Sequence, residues 1–333
     1  MGVRVGPVLV VTNMYPSPAD PVGGVFVERQ VTAVAAHLDS QPVVLPVRTN
    51  GLRAVREARR SVRAAIDRIR PAIIHLFYGL TGITVPRTGG IPLVLTLCGS
   101  DILWGPTDGD WQGWMEYGVS VLTAWRAAAV AVQSQPLRDA LPRGSLRDRT
   151  MIIPPGIDLE LFRPMDRARC RSELGWRVDE PVVLFPANPD KWLKRYELAR
   201  AAMEGLVTGA GRSVRLEVLA GVDPRRVPLH LNAADAVLIT SSWEGGPLVL
   251  SEALACGTPV VSVPVGYARD PAWQCDHLRV VPAEVPRLRA ATQAVLDHPP
   301  LHERPLGLTL PDSTTFGGRL AEVYARVVAG RGS

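Results

Sequence analysis

Cysteine is scarce in this chain. Only Cys98, Cys170, Cys256 and Cys275 occur among 333 residues, and no two stand in C-x-x-C spacing. That pattern argues against a zinc site and against a disulfide framework. No run of 18 apolar residues is present, so no membrane span is expected. The opening residues, MGVRVGPVLVVT, lack a long apolar leader, and Gly6 stands where a myristoylation signal needs serine or threonine. A reduced, cytoplasmic protein is the expectation. No G-x-G-x-x-G follows the first apolar run, which argues against an NAD enzyme. Solenoid-length repeats and low-complexity segments are also missing.

Charge is unevenly placed. The formal net charge is +5. Residues 53–70, RAVREARRSVRAAIDRIR, carry seven arginines against Glu57 and Asp67, so this segment alone sums to +5 and the remainder to zero. Leu52, Val55, Val62, Ile66 and Ile69 recur at helical spacing, which describes an amphipathic helix with an arginine-rich outer face. The plain reading is a solvated helix covering a sheet. Contact with an anionic lipid surface or an acidic substrate is the alternative, and is not favoured. Nucleic acid is not expected as a partner, because the arginines are not interleaved with aromatics.

Apolar content of 47% suits a globular protein, and the length suits two domains. Short apolar runs alternate with helical patterns. PVLVVT (7–12), PVVLPV (42–47), AIIHLF (72–77), PLVLTL (92–97) and AAVAVQ (128–133) read as strands. They are apolar throughout, as strands covered on both faces should be. The proline-rich MIIPPGIDLELFRP (151–164) reads as an interdomain connection. A second alternation follows: helix 165–174, strand 181–187, helix 195–208, strands 215–221 and 236–240, a helix from 248, strand 259–263 and helix 284–297. The tail TTFGGRLAEVYARVV is one more amphipathic helix. This order predicts an α/β protein of two facing Rossmann-like, doubly wound domains. Residues 1–156 form the first and residues 157–313 the second. Open α/β sheets bind ligands at the carboxyl ends of their strands, so the space between the domains is the expected active site.

The stretch WEGGPLVLSEALACGTPVV (243–261) carries the chemistry. Strand AVLIT ends in SSWEGG, and Pro247 then opens a helix, where its missing N–H is not needed. Gly245, Gly246 and the free N–H groups at Leu248 and beyond make an anion site, most often used for phosphate. Glu244 precedes the helix, and Glu252 lies about a turn and a half inside it. Carboxylates repel phosphate but accept readily from hydroxyls. A nucleoside diphosphate sugar, with its diphosphate between two polyols, satisfies both features.

With these residues, the chain resembles the retaining GT-B glycosyltransferases of family 4, in EGGPLVLSEALACGTPVV, PPGIDLELFRP, VFVERQVTAVA, IIHLFYG and the helix around Tyr324. The resemblance covers almost the whole length. It implies that Glu252 binds the ribose, that Glu244 binds the transferred sugar, and that Gly245, Gly246, Pro247 and Leu248 shape the donor site. Gly23 and Gly24, in PVGGVF, match a loop over the donor phosphates. Lys194, in KWLKRYELA, stands where a phosphate-binding lysine belongs. The usual arginine is replaced by Asn188, with Lys191 or Arg195 as compensation. No metal and no other cofactor are implied, and no DxD-like pair stands at a strand end of the second half. The resemblance also implies that the tail helix, 314–330, crosses back to join the first domain.

A second departure is TLCGSD, with Cys98 where histidine is usual. Retaining enzymes of this fold are thought to react by front-face attack, with the leaving phosphate taking the acceptor proton. On that mechanism a histidine tunes the chemistry, and cysteine is tolerable. Asp101 is then a candidate to hold the acceptor hydroxyl. The next residues, ILWGPTDGDWQGWMEYG, read as a loop with Trp104, Asp108, Asp110, Trp111 and Trp114. Either the tryptophans pack this loop onto its own domain, or they form a platform for a small polar or glycan acceptor such as an aminocyclitol. A membrane glycolipid or envelope polysaccharide as acceptor, a nucleotide-sugar-binding protein without turnover, and an epimerase of the same fold are the competing readings.

Overall fold

A computed structural model describes residues 3–330. The chain divides into two compact units, residues 1–156 with 311–333, and residues 157–310.

The first unit is built on six parallel strands in the order β2-β1-β3-β4-β5-β6. These are β1 (Val8–Thr12), β2 (Val43–Pro46), β3 (Ile73–Phe77), β4 (Leu93–Leu97), β5 (Ala129–Val132) and β6 (Met151–Ile152). β1, β3 and β4 are buried along their whole length, which is why their sequences do not alternate. Parallel strands need crossovers, and helices supply them. α1 (Val25–Ala35) joins β1 to β2, and α2 (Leu52–Ile69) joins β2 to β3. A 3-10 turn (Gly79–Thr84) follows β3. α3 (Ser100–Asp108) and α4 (Trp111–Arg126) join β4 to β5, and α5 (Gln135–Ala140) with α6 (Ser145–Arg149) leads to β6. Ala58, Val62 and Ala65 of α2, Ala124 of α4 and Leu137 of α5 pack on one sheet face. The other face is covered by α1 through Val27, Val31 and Val34.

The stretch read as a loop after β4 is instead the helix pair α3 and α4. Two of its glycines, Gly105 and Gly113, are there for packing. A Cβ on Gly105 would strike the backbone of Gly113 and Trp114, so the two helices cross at backbone contact. Asp110 starts α4 as its N-cap, accepting from the Gln112 N–H at 2.9 Å.

The second unit carries five parallel strands in the order β11-β10-β9-β7-β8. They are β7 (Val182–Phe185), β8 (Arg215–Val218), β9 (Ala236–Ile239), β10 (Val260–Ser262) and β11 (Leu278–Val280). α7 (Arg167–Leu174), α8 (Tyr196–Met203), α9 (Val227–Ala233), α10 (Leu248–Ala255) and α11 (Val285–Asp297) surround them. The helix expected over 195–208 stops at Met203, and α9, a seven-residue helix with Pro228 in its first turn, had no clear periodicity to announce it. Arg171 of α7 is buried and is neutralised by Asp235, whose carboxylate also accepts the Val182 N–H at 2.6 Å.

The last helix, α12 (Ser313–Ala329), belongs to the first unit and packs on α1. A Cβ on Gly317 would strike the Ala33 carbonyl, so this crossing is also tight. Tyr324 reaches the sheet core, where its hydroxyl lies 2.6 Å from His75 Nδ1, while His75 Nε2 lies 2.9 Å from the Thr96 hydroxyl. All three side chains are buried. Burial depresses the His75 pKa to about 3, so the ring is neutral and one nitrogen donates while the other accepts.

Candidate active site

In the second unit, the carboxyl end of β9 and the N-terminus of α10 gather the donor-site candidates. Thr240 donates to the Lys194 carbonyl at 2.8 Å, and the Ser242 N–H donates to the Leu193 carbonyl at 2.8 Å. These bonds hold the turn Trp192–Lys194 against the strand end. Arg195 adopts a left-handed backbone, φ 50°, and its guanidinium donates to the carbonyls of Thr240 (2.6 Å) and Ser241 (3.3 Å). That fastening delivers the Lys194 ammonium to the Glu244 carboxylate, with which it forms an ion pair. The Ser241 hydroxyl donates to the same carboxylate oxygen at 2.7 Å.

Pro247 is the N-cap of α10, and Glu252 is buried within that helix. Arg304 grips the other end, donating to the Ala255 carbonyl at 3.2 Å and to the Leu159 carbonyl at 2.6 Å. Gly246 leaves no room for a side chain, since a Cβ there would enter the Tyr267 ring. Tyr267 is buried and stacks on Trp273 at 4.7 Å, and its hydroxyl has no hydrogen-bond partner among the described residues. Burial, then the nearby Glu244 charge, raises its pKa, so the phenol stays protonated and able to donate.

The first unit gathers a second set at the carboxyl ends of β3 and β4. Asp101 is fully buried and accepts three backbone N–H groups, from Gly99 at 2.8 Å, Gly79 at 3.0 Å and Cys98 at 3.2 Å. Its pKa is raised to about 6 because burial outweighs those hydrogen bonds. Tyr78 takes φ 77°, a backbone region that costs a non-glycine residue energy and collects at functional sites. Its hydroxyl donates to Glu116 of α4 at 2.7 Å and lies 2.9 Å from the Ser100 hydroxyl. Glu116 is half-buried, which raises its pKa. Burial and the Asp101 charge push the Cys98 thiol pKa up, so it is a neutral group here. Ahead of α1, Gly24 is left-handed (φ 73°), and a Cβ on it would strike the backbone of Met14 and Tyr15. Gly23 donates its N–H to Asp20 at 2.9 Å.

Comparison with known proteins fits this layout. The family described as Glycosyltransferase Family 4 matches residues 7–161, and Glycosyl transferases group 1 matches residues 199–272. Together the matches cover more than half of the chain. The chain belongs to the group 1, family 4 glycosyltransferases. Its fold is GT-B. Sucrose-phosphate synthase of Thermosynechococcus elongatus superposes with a TM-score of 0.78 at 20% identity, over 98% of this chain and 100% of that one. HepE of Anabaena, solved with UDP and glucose, superposes with a TM-score of 0.70 at 18% identity, over 95% and 98%. The D-inositol 3-phosphate glycosyltransferase of Nocardia farcinica is 33% identical over 153 residues, 37% of this chain and 34% of that protein. The D-inositol 3-phosphate glycosyltransferase 1 of Catenulispora acidiphila is 28% identical over 277 residues, 67% of this chain and 66% of that protein. The chain spans about a third of the length of the Nocardia farcinica relative.

In this family 4 chain the candidate residues separate by what holds them. Lys194, Glu244 and Ser241 meet directly, and Gly245, Gly246, Pro247, Leu248 and Glu252 follow in the same loop and helix. Asn188 is exposed, and its side-chain oxygen accepts the Asp190 N–H at 2.9 Å in a local turn. Lys191 is exposed. Arg195 is spent on carbonyls, which makes it a fastener of the turn rather than a replacement for the missing arginine. Asp101, expected to hold an acceptor hydroxyl, is fully buried here and its carboxylate is taken up by the N–H groups of Gly79, Cys98 and Gly99. Asp110 is a helix cap. Asp108 ends α3, and its side chain lies outside what is described. Trp111 and Trp114 lie on the exposed face of α4, and Trp104 on α3 is half-buried. Sequence reasoning missed Tyr78, Ser100, Glu116, Ser241 and Tyr267. The SSWEGG run contained Ser241, but Glu116 could not be placed while its helix was read as a loop.

Proposed function

We propose that the chain is a retaining, metal-independent glycosyltransferase that moves a sugar from a nucleoside diphosphate sugar to a hydroxyl of a small polar acceptor. The observation that carries this reading is the Lys194–Glu244–Ser241 network set against the GGP turn and the N-terminus of α10. Donor binding exchanges one contact for two. Lys194 turns to the diphosphate, assisted by the first N–H groups of α10, and Glu244 accepts from hydroxyls of the sugar. Glu252 accepts from the ribose. The anomeric C–O bond to the diphosphate breaks, and a C–O bond to the acceptor forms on the same face of the sugar. The acceptor proton passes to the leaving phosphate. No strong protein base is required, so the neutral Cys98 is compatible with turnover.

The acceptor reading rests on Tyr78, Ser100 and Glu116. A half-buried carboxylate repels an anionic acceptor and suits one with hydroxyl or amino groups. The relatives named for D-inositol 3-phosphate act on a phosphorylated cyclitol by their names. Here an uncharged or amino-bearing cyclitol or sugar fits better.

Thermal shift against UDP, GDP, ADP and dTDP, then the matching sugar nucleotides, tests the donor side. One nucleotide at a hundred times its Kd should stabilise the fold by about 2.7 kcal/mol. No shift with any of them would overturn the reading. Binding without transfer to hydroxyl or amino acceptors would leave a nucleotide-sugar-binding protein instead.

A further inference from the structure

Helix α4 is built inside out. Its buried positions are small or polar: Gly113, Ser120, Thr123 and Ala124. They are small because neighbours press close, since a Cβ on Gly79 would strike Ser120 and one on Gly82 would strike Thr123. Its solvent face carries Trp111, Trp114, Met115, Leu122 and Trp125, each between 49% and 70% exposed. At 100° per residue these five side chains fall within a sector of about 100°, and they run along about 21 Å of helix. Gly118 continues the same sector, and a Cβ there would meet nothing. No acidic residue is among the exposed positions of α4. A solvated helix has the opposite arrangement, and a continuous exposed apolar face of this size marks a contact surface. The stripe is too long to be a platform for a small acceptor.

The neighbouring charge says what covers it. α2 and α4 lie on the same sheet face, supply the same core, and both pack on the turn Gly79–Thr84. The exposed arginines of α2 therefore share the outer surface of this layer with the tryptophans of α4. Arg149 adds a guanidinium 6.0 Å from the Trp125 ring. A second copy of the chain would bring its own arginine face against this one and be repelled. No helix among the described residues is long and apolar enough to cross a membrane. Tryptophan and leucine on one surface with arginine beside them is the composition of a contact that lies in a lipid interface.

We propose that the first unit rests on an anionic lipid surface, with the α4 stripe inserted at headgroup depth and the α2 arginines over the headgroup charge. The inference concerns where the protein sits and stands apart from the proposed donor and acceptor. The test is sedimentation of the full chain with vesicles of equal parts phosphatidylglycerol and phosphatidylcholine, against phosphatidylcholine alone. Partition should be at least about tenfold stronger on the anionic vesicles, with a blue shift of tryptophan emission, and should weaken with salt. W111Q/L122Q/W125Q and, separately, R56Q/R59Q/R63Q should each lower partition by about tenfold, with melting temperatures within about 2 °C of the parent, because these side chains are exposed. A parent chain that stays in the supernatant, or a tryptophan variant that partitions as well as the parent, would overturn the proposal. So would a dimer in sedimentation velocity that W111Q/L122Q/W125Q abolishes without any vesicle binding, which would assign the face to a second copy.

Discussion

Glu244 and Glu252 stand eight positions apart and differ in their surroundings. Glu244 meets a lysine and a serine hydroxyl, so its charge is already compensated and can be released to a ligand. Glu252 is buried in a helix gripped at its far end by Arg304. Glu252→Ala should therefore weaken the bare nucleotide, by about 1.5–3 kcal/mol for each charged hydrogen bond lost, or roughly tenfold or more in Kd. Glu244→Ala should leave the bare nucleotide within about threefold, less than 1 kcal/mol, and lower turnover of the sugar donor. Calorimetry with the nucleotide and steady-state kinetics with its sugar form check the division. Equal loss of bare-nucleotide affinity in both variants would show that the roles are wrongly divided.

At the scale of elements, small residues decide which helices can meet. Gly113 and Gly118 lie on one helix and have opposite environments. A Cβ on Gly113 would collide with the Gly105 backbone, whereas one on Gly118 would meet nothing. Gly113→Ala should destabilise the first unit by about 1–3 kcal/mol through forced separation of α3 and α4. Gly118→Ala should stabilise it by about 1 kcal/mol, because alanine favours the helix and loses less chain entropy. Urea unfolding of the two variants measures both signs, and the explanation fails if they move the same way. The two helices are hidden in the sequence because glycine and proline read as turn signals, whereas Gly105 and Gly113 serve contact between helices. The strands were plain by contrast, since burial on both faces leaves an unbroken apolar run.

Two titrating groups and the proposed metal-independent donor site set the expectations for the molecule as a whole. His75 is held neutral in the core with a pKa of about 3, below the ordinary 6.5. The unfolded chain binds its proton first, so the His75 contribution to stability is complete above pH 6.5 and is lost as pH falls toward 3. Asp101 slopes the other way. Its pKa is raised to about 6, so its contribution falls as pH rises from 3.8 through about 6. The larger shift belongs to His75, so the native chain should be more stable at pH 7.5 than at pH 4.5. His75→Phe leaves Tyr324 and Thr96 unpaired and lowers stability at both values, but it should move the difference by about 3 kcal/mol in favour of pH 4.5 and so reverse its sign, leaving the Asp101 slope. Urea midpoints at the two pH values report this, and an unchanged gap would mean that His75 titrates normally. Transfer should persist in EDTA, because Lys194 and the α10 N–H groups supply the positive charge that the diphosphate needs. Loss of activity in chelator, restored by magnesium or manganese, would refute the metal-independent reading.

Two parallel α/β sheets and an amphipathic tail helix were legible from residues alone, because each rests on local rules, whereas the return of that helix to the first unit came from the family resemblance. Two-sided burial writes apolar runs, and a helix opening at Pro247 after Gly245-Gly246 writes an anion site. What only the tertiary structure decided were partnerships between residues distant in sequence. Lys194 meets Glu244 because a turn is fastened to the end of β9. Tyr324 finds His75 across 249 positions. Asp101 is consumed by three backbone N–H groups, two from its own loop and the third from Gly79 at the end of β3, and Tyr78, Ser100 and Glu116 converge from a strand end and two helices. The exposed tryptophan face of α4 appears only once its opposite face is seen to be filled by glycine, serine, threonine and alanine, since periodicity shows that a helix has two faces and packing determines which one is buried.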